Sequence, residues 1–239
     1  MVGLVSDVGL RRTLNEDSAS YLEKEEFKIY VVADGMGGHN AGEVASQMAA
    51  TNIVDYIKEK FSSSRVENLL VEAIEKVNKD IFTFSNTSEN LSGMGTTVTT
   101  CFMTKNFIQV ANVGDSCCFA VKNNEIKKIT KDHSLVQELV DIGSISEKEA
   151  ENHPKKNIIT RALGTSINVN VDVFQLKNSE YDFYILCSDG LTNELTKEEI
   201  LQVVTEEESY VNIANKLVYL AKKNGGRDNI TVLLFGGEM

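Results

Sequence analysis

Apolar residues along the chain fall into short runs that end at Gly, Asp or Asn, interrupted by longer stretches with a helical repeat. The runs Phe27 to Ala33, Thr96 to Met103, Phe107 to Val113, Cys117 to Val121, Val169 to Leu176, Phe183 to Cys187 and Ile230 to Phe235 are rich in β-branched and aromatic residues and read as strands. After the first run, Glu43 to Phe61 places Val44, Met48, Ile53, Val54 and Ile57 near helical period, and Arg65 to Phe82 repeats this with Leu69, Leu70, Ala73, Ile74, Val77 and Ile81. A third helix runs from about Tyr210 to Lys223 and stops at Gly225-Gly226. The order does not alternate strand with helix as a doubly wound fold does. It predicts an α+β fold, a four-layer α-β-β-α sandwich in which two mostly antiparallel sheets pack face to face with helices outside.

No repeat, proline-rich linker or change of composition divides the 239 residues, so one domain over 1–239 is expected. The polar segment from about residue 132 to 166 stands apart. It carries a short helical pattern at Ser134 to Ile142 and the only proline, Pro154, and reads as a surface flap between strands, the kind of excursion that often binds.

Charge narrows the function. The chain has 24 Lys and Arg against 35 Asp and Glu, a net charge of −11. That excludes nucleic acid and anionic lipid as partners held by charge, and suits a surface that concentrates divalent cations. Cys101, Cys117, Cys118 and Cys187 form no C-x-x-C pair, and His39, His133 and His153 show no zinc-ligand spacing with them. They are expected to be reduced core thiols of a cytoplasmic protein. The N-terminus does not read as a signal peptide, and no run of 18 apolar residues is present to span a membrane.

The candidate chemistry lies where strands end. Apolar runs lead into Asp34, Asp115 and Asp189, Asp228 immediately precedes another, and Asn15-Glu16-Asp17 follows an Asp-x-Gly-x-x-Arg stretch at Asp7 to Arg12. One Asp-Gly at a strand end is usually a turn. Several carboxylates beyond buried strands, without matching lysines, favour a hard cation with oxygen ligands. Asp34-Gly35-Met36-Gly37-Gly38-His39 adds glycines that let backbone approach a ligand.

Taken in order, Asp7-Val8-Gly9-Leu10-Arg11-Arg12 with Asn15-Glu16-Asp17, Asp34 to His39, Ser92-Gly93-Met94-Gly95-Thr96-Thr97, Asn112-Val113-Gly114-Asp115-Ser116, Ser188-Asp189-Gly190-Leu191 and Arg227-Asp228-Asn229-Ile230-Thr231 resemble the motifs of the metal-dependent type 2C (PPM) protein phosphatases. The flap resembles that of the family's bacterial single-domain branch. The resemblance implies a Ser/Thr protein phosphatase with two Mn2+ or Mg2+ ions. Asp34 would bridge them, the Gly35 carbonyl would serve one, and Asp189 and Asp228 would complete the other. Glu16 or Asp17 would bind directly or through water; that choice stays open, with Asp17 counted in the ligand set. Asp115 resembles the ligand of a third, weaker ion. Arg12 would grip the substrate phosphate, its planar fork suiting that task, while Arg11 reads as a surface charge. A hydroxide bridging the two ions would attack phosphorus, and His39 would protonate the leaving oxygen. Cys117 stands where the family usually has arginine, which makes oxidation of Cys117-Cys118 an expectation.

The partners so implied are phosphoproteins and a cognate bacterial Ser/Thr kinase, with the phosphatase a monomer. A relative that regulates sigma-factor partners remains within this class. The rival from another class is a catalytically silent pseudophosphatase that binds a phosphoprotein or kinase; the full ligand set speaks against it.

Overall fold

The computed structural model describes residues 2–37, 41–61, 66–151, 153–207 and 209–239. Its strands are β1 (Val2–Asp7), β2 (Asp17–Glu23), β3 (Phe27–Met36), β4 (Gly95–Thr96), β5 (Val98–Thr104), β6 (Ile108–Val113), β7 (Cys117–Lys122), β8 (Glu125–Lys128), β9 (Asp172–Leu176), β10 (Phe183–Cys187) and β11 (Ile230–Gly236). Its helices are α1 (Gly42–Lys60), α2 (Leu69–Ser85), α3 (Leu135–Asp141), α4 (Glu147–Glu151), α5 (Asp189–Thr192), α6 (Lys197–Glu206) and α7 (Tyr210–Asn224). One sheet has the order β1-β11-β10-β7-β8, the other β2-β3-β5-β6-β9 with β4 paired to β3. Every pairing is antiparallel.

Three apolar layers explain the stacking. In the middle, Tyr30, Val32, Cys101, Met103, Ile108 and Val110 of the second sheet meet Cys118, Ala120, Tyr184, Leu186, Leu233 and Phe235 of the first. Outside, α1 and α2 cover the second sheet through Ile53, Ile57, Leu70, Ile74 and Ile81, against Ile29, Val31 and Phe102. On the far side α6 and α7 cover the first sheet through Ile200, Val203, Ile213 and Leu217, against Ile185, Val232 and Leu234. This is the expected four-layer sandwich. Central strands are buried on both faces: β10 reads as an unbroken apolar run, and in β5 and β6 even Thr99, Thr100, Gln109 and Asn112 are enclosed.

Several boundaries shift. The run from Thr96 divides at Thr97, whose amide leaves the ladder to donate to the Asp34 carbonyl at 2.9 Å while its hydroxyl accepts from the Asp34 amide at 3.0 Å. The run from Val169 becomes a strand only at Asp172, and the helix expected from Arg65 begins at Leu69. The helical pattern at Ser134 to Ile142 is α3, capped by the Ser134 hydroxyl, which accepts from Gln137 N. Strands β1 and β2 and helix α6 were not anticipated. The signal for α6 was present: Thr196 and Glu199 form a reciprocal capping box.

The Tyr30 and Phe235 rings stack at a centroid distance of 3.6 Å and join the two sheets through their middle. Phe235→Ala should therefore cost about 3–5 kcal/mol, the range for a buried Phe truncation. Urea unfolding measures it; a loss below about 1 kcal/mol would show that the stack does not hold the sheets together.

Candidate active site

Asp17, Asp34, Asp115, Asp189 and Asp228 converge on one end of the sandwich. Asp17 opens β2 and lies directly opposite Asp34 of β3 in the ladder. Asp115 sits in the turn from β6 to β7, Asp189 follows β10, and Asp228 precedes β11. Because β7, β10 and β11 are neighbours, their cluster-end residues are neighbours too. The second sheet brings Asp17 and Asp34 to the same place.

Like charges directly opposite on paired strands repel. Here burial adds to the cost. Asp17 and Asp115 are buried, whereas Asp34, Asp189 and Asp228 stay partly open at the mouth. Burial pushes all four of Asp17, Asp34, Asp115 and Asp189 above the usual carboxylate range, and repulsion from neighbouring acids adds to it. Asp17, Asp115 and Asp189 each keep one buried oxygen, Oδ1, without a hydrogen-bond partner. Asp132, at the flap's start, and Glu43, at the start of α1, each keep one too. Buried orphan oxygens on mutually repelling carboxylates fit a hard divalent cation, which would supply the missing partner. Among the described residues, no three His, Cys, Asp or Glu side chains already close into a ligating shell. The acids form a crowded pocket that an ion would draw inward.

Backbone geometry supports Gly35 at this spot. A Cβ there would lie 2.1 Å from the Gly42 carbonyl oxygen and 2.6 Å from that of Glu16, so β3, the start of α1 and the Glu16 segment meet with no room for a side chain. Glu16 itself faces Gly42 and Glu43 and is half-buried, in contrast to buried Asp17. Arg12 reaches over the cluster and donates from Nη2 to Asp228 Oδ2 at 2.9 Å, with 49% of its side chain exposed. The motif ending in His39 runs past the described part of the chain: His39 lies outside the described residues.

Several supporting groups were invisible to the sequence reading. The Ser188 hydroxyl donates to Asp17 Oδ2 at 2.7 Å and accepts from Thr231 N. Asn193 donates to Asp189 Oδ2 at 2.8 Å. Thr96 donates its hydroxyl to the Asp34 carbonyl. Each is a small polar residue whose partner is distant in sequence or on a following turn; the motifs Ser188-Asp189-Gly190 and Gly95-Thr96-Thr97 marked two of them without showing the partners.

The flap is tied at both ends. His133 N donates to the Gly114 carbonyl, and His133 Nδ1 accepts from Gly114 N at 3.0 Å. Nε2–H then faces Asp172 at 3.2 Å, which also takes Arg161 at 2.6 Å. Burial holds this imidazole below its usual range, and its contacts tie the flap to the turn between β6 and β7 and to β9. At the far end Leu163 bridges to Thr96 and Gly164 N donates to Asn78. Between these anchors Ile142 and Ile158 are exposed.

The vicinal cysteines part company. Cys118 enters the middle layer, whereas Cys117 faces the helix side and lies 3.6 Å, sulfur to sulfur, from Cys187. Any thiol coupling at this place is therefore between Cys117 and Cys187, because adjacent strand residues point to opposite faces.

Known proteins share this fold. The family model for protein phosphatase 2C matches residues 11–227. The serine/threonine phosphatase stp of Listeria welshimeri is 42% identical over 233 residues, 96% of this chain and 92% of that protein. Protein phosphatase PhpP of Streptococcus pneumoniae is 36% identical over 236 residues, 98% and 96% of the two chains. The solved Mycobacterium tuberculosis serine/threonine phosphatase PstP/Ppp superposes with a TM-score of 0.90 at 34% identity, over 100% of this chain and 99% of that one. Serine/threonine phosphatase Stp1 from Staphylococcus aureus does so at 0.89 and 33%, over 98% and 94%. A family match along most of the sequence and one fold shared end to end lead to the same result: the chain belongs to the protein phosphatase 2C family.

Proposed function

We propose that the chain hydrolyses phosphoserine and phosphothreonine in proteins and so opposes a bacterial Ser/Thr kinase. The observation that carries this reading is the pocket of repelling carboxylates with orphaned buried oxygens, overhung by Arg12. The family is metal-dependent, and in this reading Asp17, Asp34, the Gly35 carbonyl, Asp189 and Asp228 hold two Mn2+ or Mg2+ ions, with Asp115 serving a third. Bound there, the cations would supply an acidified water and offset charge on the phosphoryl oxygens. The domain is the whole of 1–239, with 132–166 as a flap beside the site. Four free, buried cysteines support a reducing compartment, the cytoplasm.

The chain's own groups then divide the work. The partly open acids face the substrate side, while buried Asp17 is fixed by Ser188 from behind. Arg12 exchanges its contact with Asp228 for the phosphoryl oxygens, to which a guanidinium offers two parallel donors. His39 delivers a proton to the seryl or threonyl oxygen as it leaves.

Hydrolysis of p-nitrophenyl phosphate with Mn2+, abolished by chelator, is the direct test; a metal-replete preparation without turnover sinks the reading. Asp34→Asn should lower kcat/KM by about 10³-fold or more with the fold intact by circular dichroism. His39→Ala should reduce turnover of a phosphoserine peptide by about 10²-fold and that of p-nitrophenyl phosphate far less, since nitrophenolate leaves without a proton. Equal losses would remove His39 from the acid role.

The crowding itself makes a stability prediction. Asp17→Asn removes one buried charge from the repelling set, so the metal-free variant should melt above the metal-free wild type. Each kcal/mol recovered corresponds to about 2–4 °C in a chain of this size. The rise in melting temperature that Mn2+ gives should shrink in the same variant. A lower melting temperature without metal would show that the carboxylate is satisfied as it stands.

A further inference from the structure

Asn229 follows Asp228 and is buried. Its side-chain amide is committed entirely to the segment that carries Arg12. Oδ1 accepts from Glu16 N at 2.8 Å, and Nδ2 donates to the Val8 carbonyl at 3.0 Å and the Leu14 carbonyl at 2.9 Å. Both amide protons and an oxygen lone pair are thereby used. The three partners bracket the connection between β1 and β2, with Arg12 between the gripped points. The same connection is pressed onto the approach to β11: Leu10 N donates to the Gly226 carbonyl at 2.7 Å, and a Cβ on Gly9 would stand 2.1 Å from the Asp228 carbonyl oxygen.

Arg12 itself is half exposed. A long side chain in that position takes its aim from where its loop starts and returns. We propose that Asn229 is the positioning residue for Arg12: by clamping both limbs of the loop with one amide, it sets how far the guanidinium reaches over the cluster, without touching substrate. The inference rests on the reading of Arg12 as the phosphate-binding residue. Misplacement of a binding group by about 1 Å can cost about 10²-fold, so the clamp has a measurable effect on catalysis.

Asn229→Asp keeps shape and the acceptor for Glu16 N but sets a carboxylate oxygen against the Val8 and Leu14 carbonyls, which releases the loop. With saturating Mn2+, KM and kcat for a phosphoserine peptide and inhibition by inorganic phosphate are measured in wild type, Asn229→Asp, Arg12→Ala and the double variant. Asn229→Asp should raise KM and the phosphate inhibition constant about 10-fold with a smaller change in kcat, and the double variant should be no worse than Arg12→Ala alone. The Mn2+ half-saturation concentration should stay within about 2-fold of wild type, because the clamp acts on Arg12. Losses that multiply in the double variant, or a Mn2+ requirement that rises as much as KM, would overturn the proposal. Arg12→Ala with unaltered phosphate inhibition would instead remove the underlying reading of Arg12, a separate result visible in the single variant. A thermal melt establishes folding of each protein. If Asn229→Asp does not fold, Asn229→Ser, which keeps one hydroxyl donor, takes its place in the same cycle with the same expected coupling.

Discussion

Mutual repulsion among carboxylates is the constraint on which the rest of the architecture depends. Asp17 and Asp34 face each other across one ladder, Asp115 sits in the turn that passes from that sheet to the other, and Asp189 and Asp228 approach from the other sheet. A polypeptide does not gather such groups without cost. What holds them together is rigid and lies behind them: β-ladders buried on both faces, and hydroxyls and amides from Ser188, Thr96, Thr97 and Asn193 that grip the acids or their backbone.

Because the acids come from both sheets, the spacing of the site is the spacing of the sandwich. The middle layer fixes that distance through large side chains, with Tyr30 of one sheet stacked on Phe235 of the other. The outer helices keep each sheet flat against the middle. Catalytic precision is thus inherited from packing that contains no catalytic residue. The flap is built differently. It is pinned at its roots by His133, Arg161 and Leu163 and presents apolar side chains outward between them.

The central strands were legible because burial on both faces favours β-branched and aromatic residues on each, as in Ile29 to Ala33 and Tyr184 to Cys187. The edge strands β1 and β2 were not: β1 sets Gly3 and Ser6 among Val2, Leu4 and Val5, and β2 mixes Ser18, Ser20 and Glu23 with Ala19 and Leu22. Their hydrophobic content is halved by the solvent on one side, and short mixed segments do not stand out from loops. Helix α6 was written in Thr196-x-x-Glu199 and passed over, which is a failure of reading and not of signal. In the site, acids at strand ends were visible because their position relative to an apolar run is a one-dimensional property. The roles of Ser188, Thr97 and Asn229 were not, since each depends on partners that lie elsewhere in the sequence, some on a different element. The choice between Glu16 and Asp17 separates in depth only once β2 is paired: Asp17 enters the ladder and Glu16 stays beside Gly42.

Strand β11 lies between β1 and β10, so β1 joins its sheet only through a strand that stands far along the chain. Asp228 and Asn229 sit immediately before that strand. The long-range pairing that closes the first sheet therefore also delivers Asp228 to the other acids, so completing the sheet and assembling the acid cluster are one event in folding.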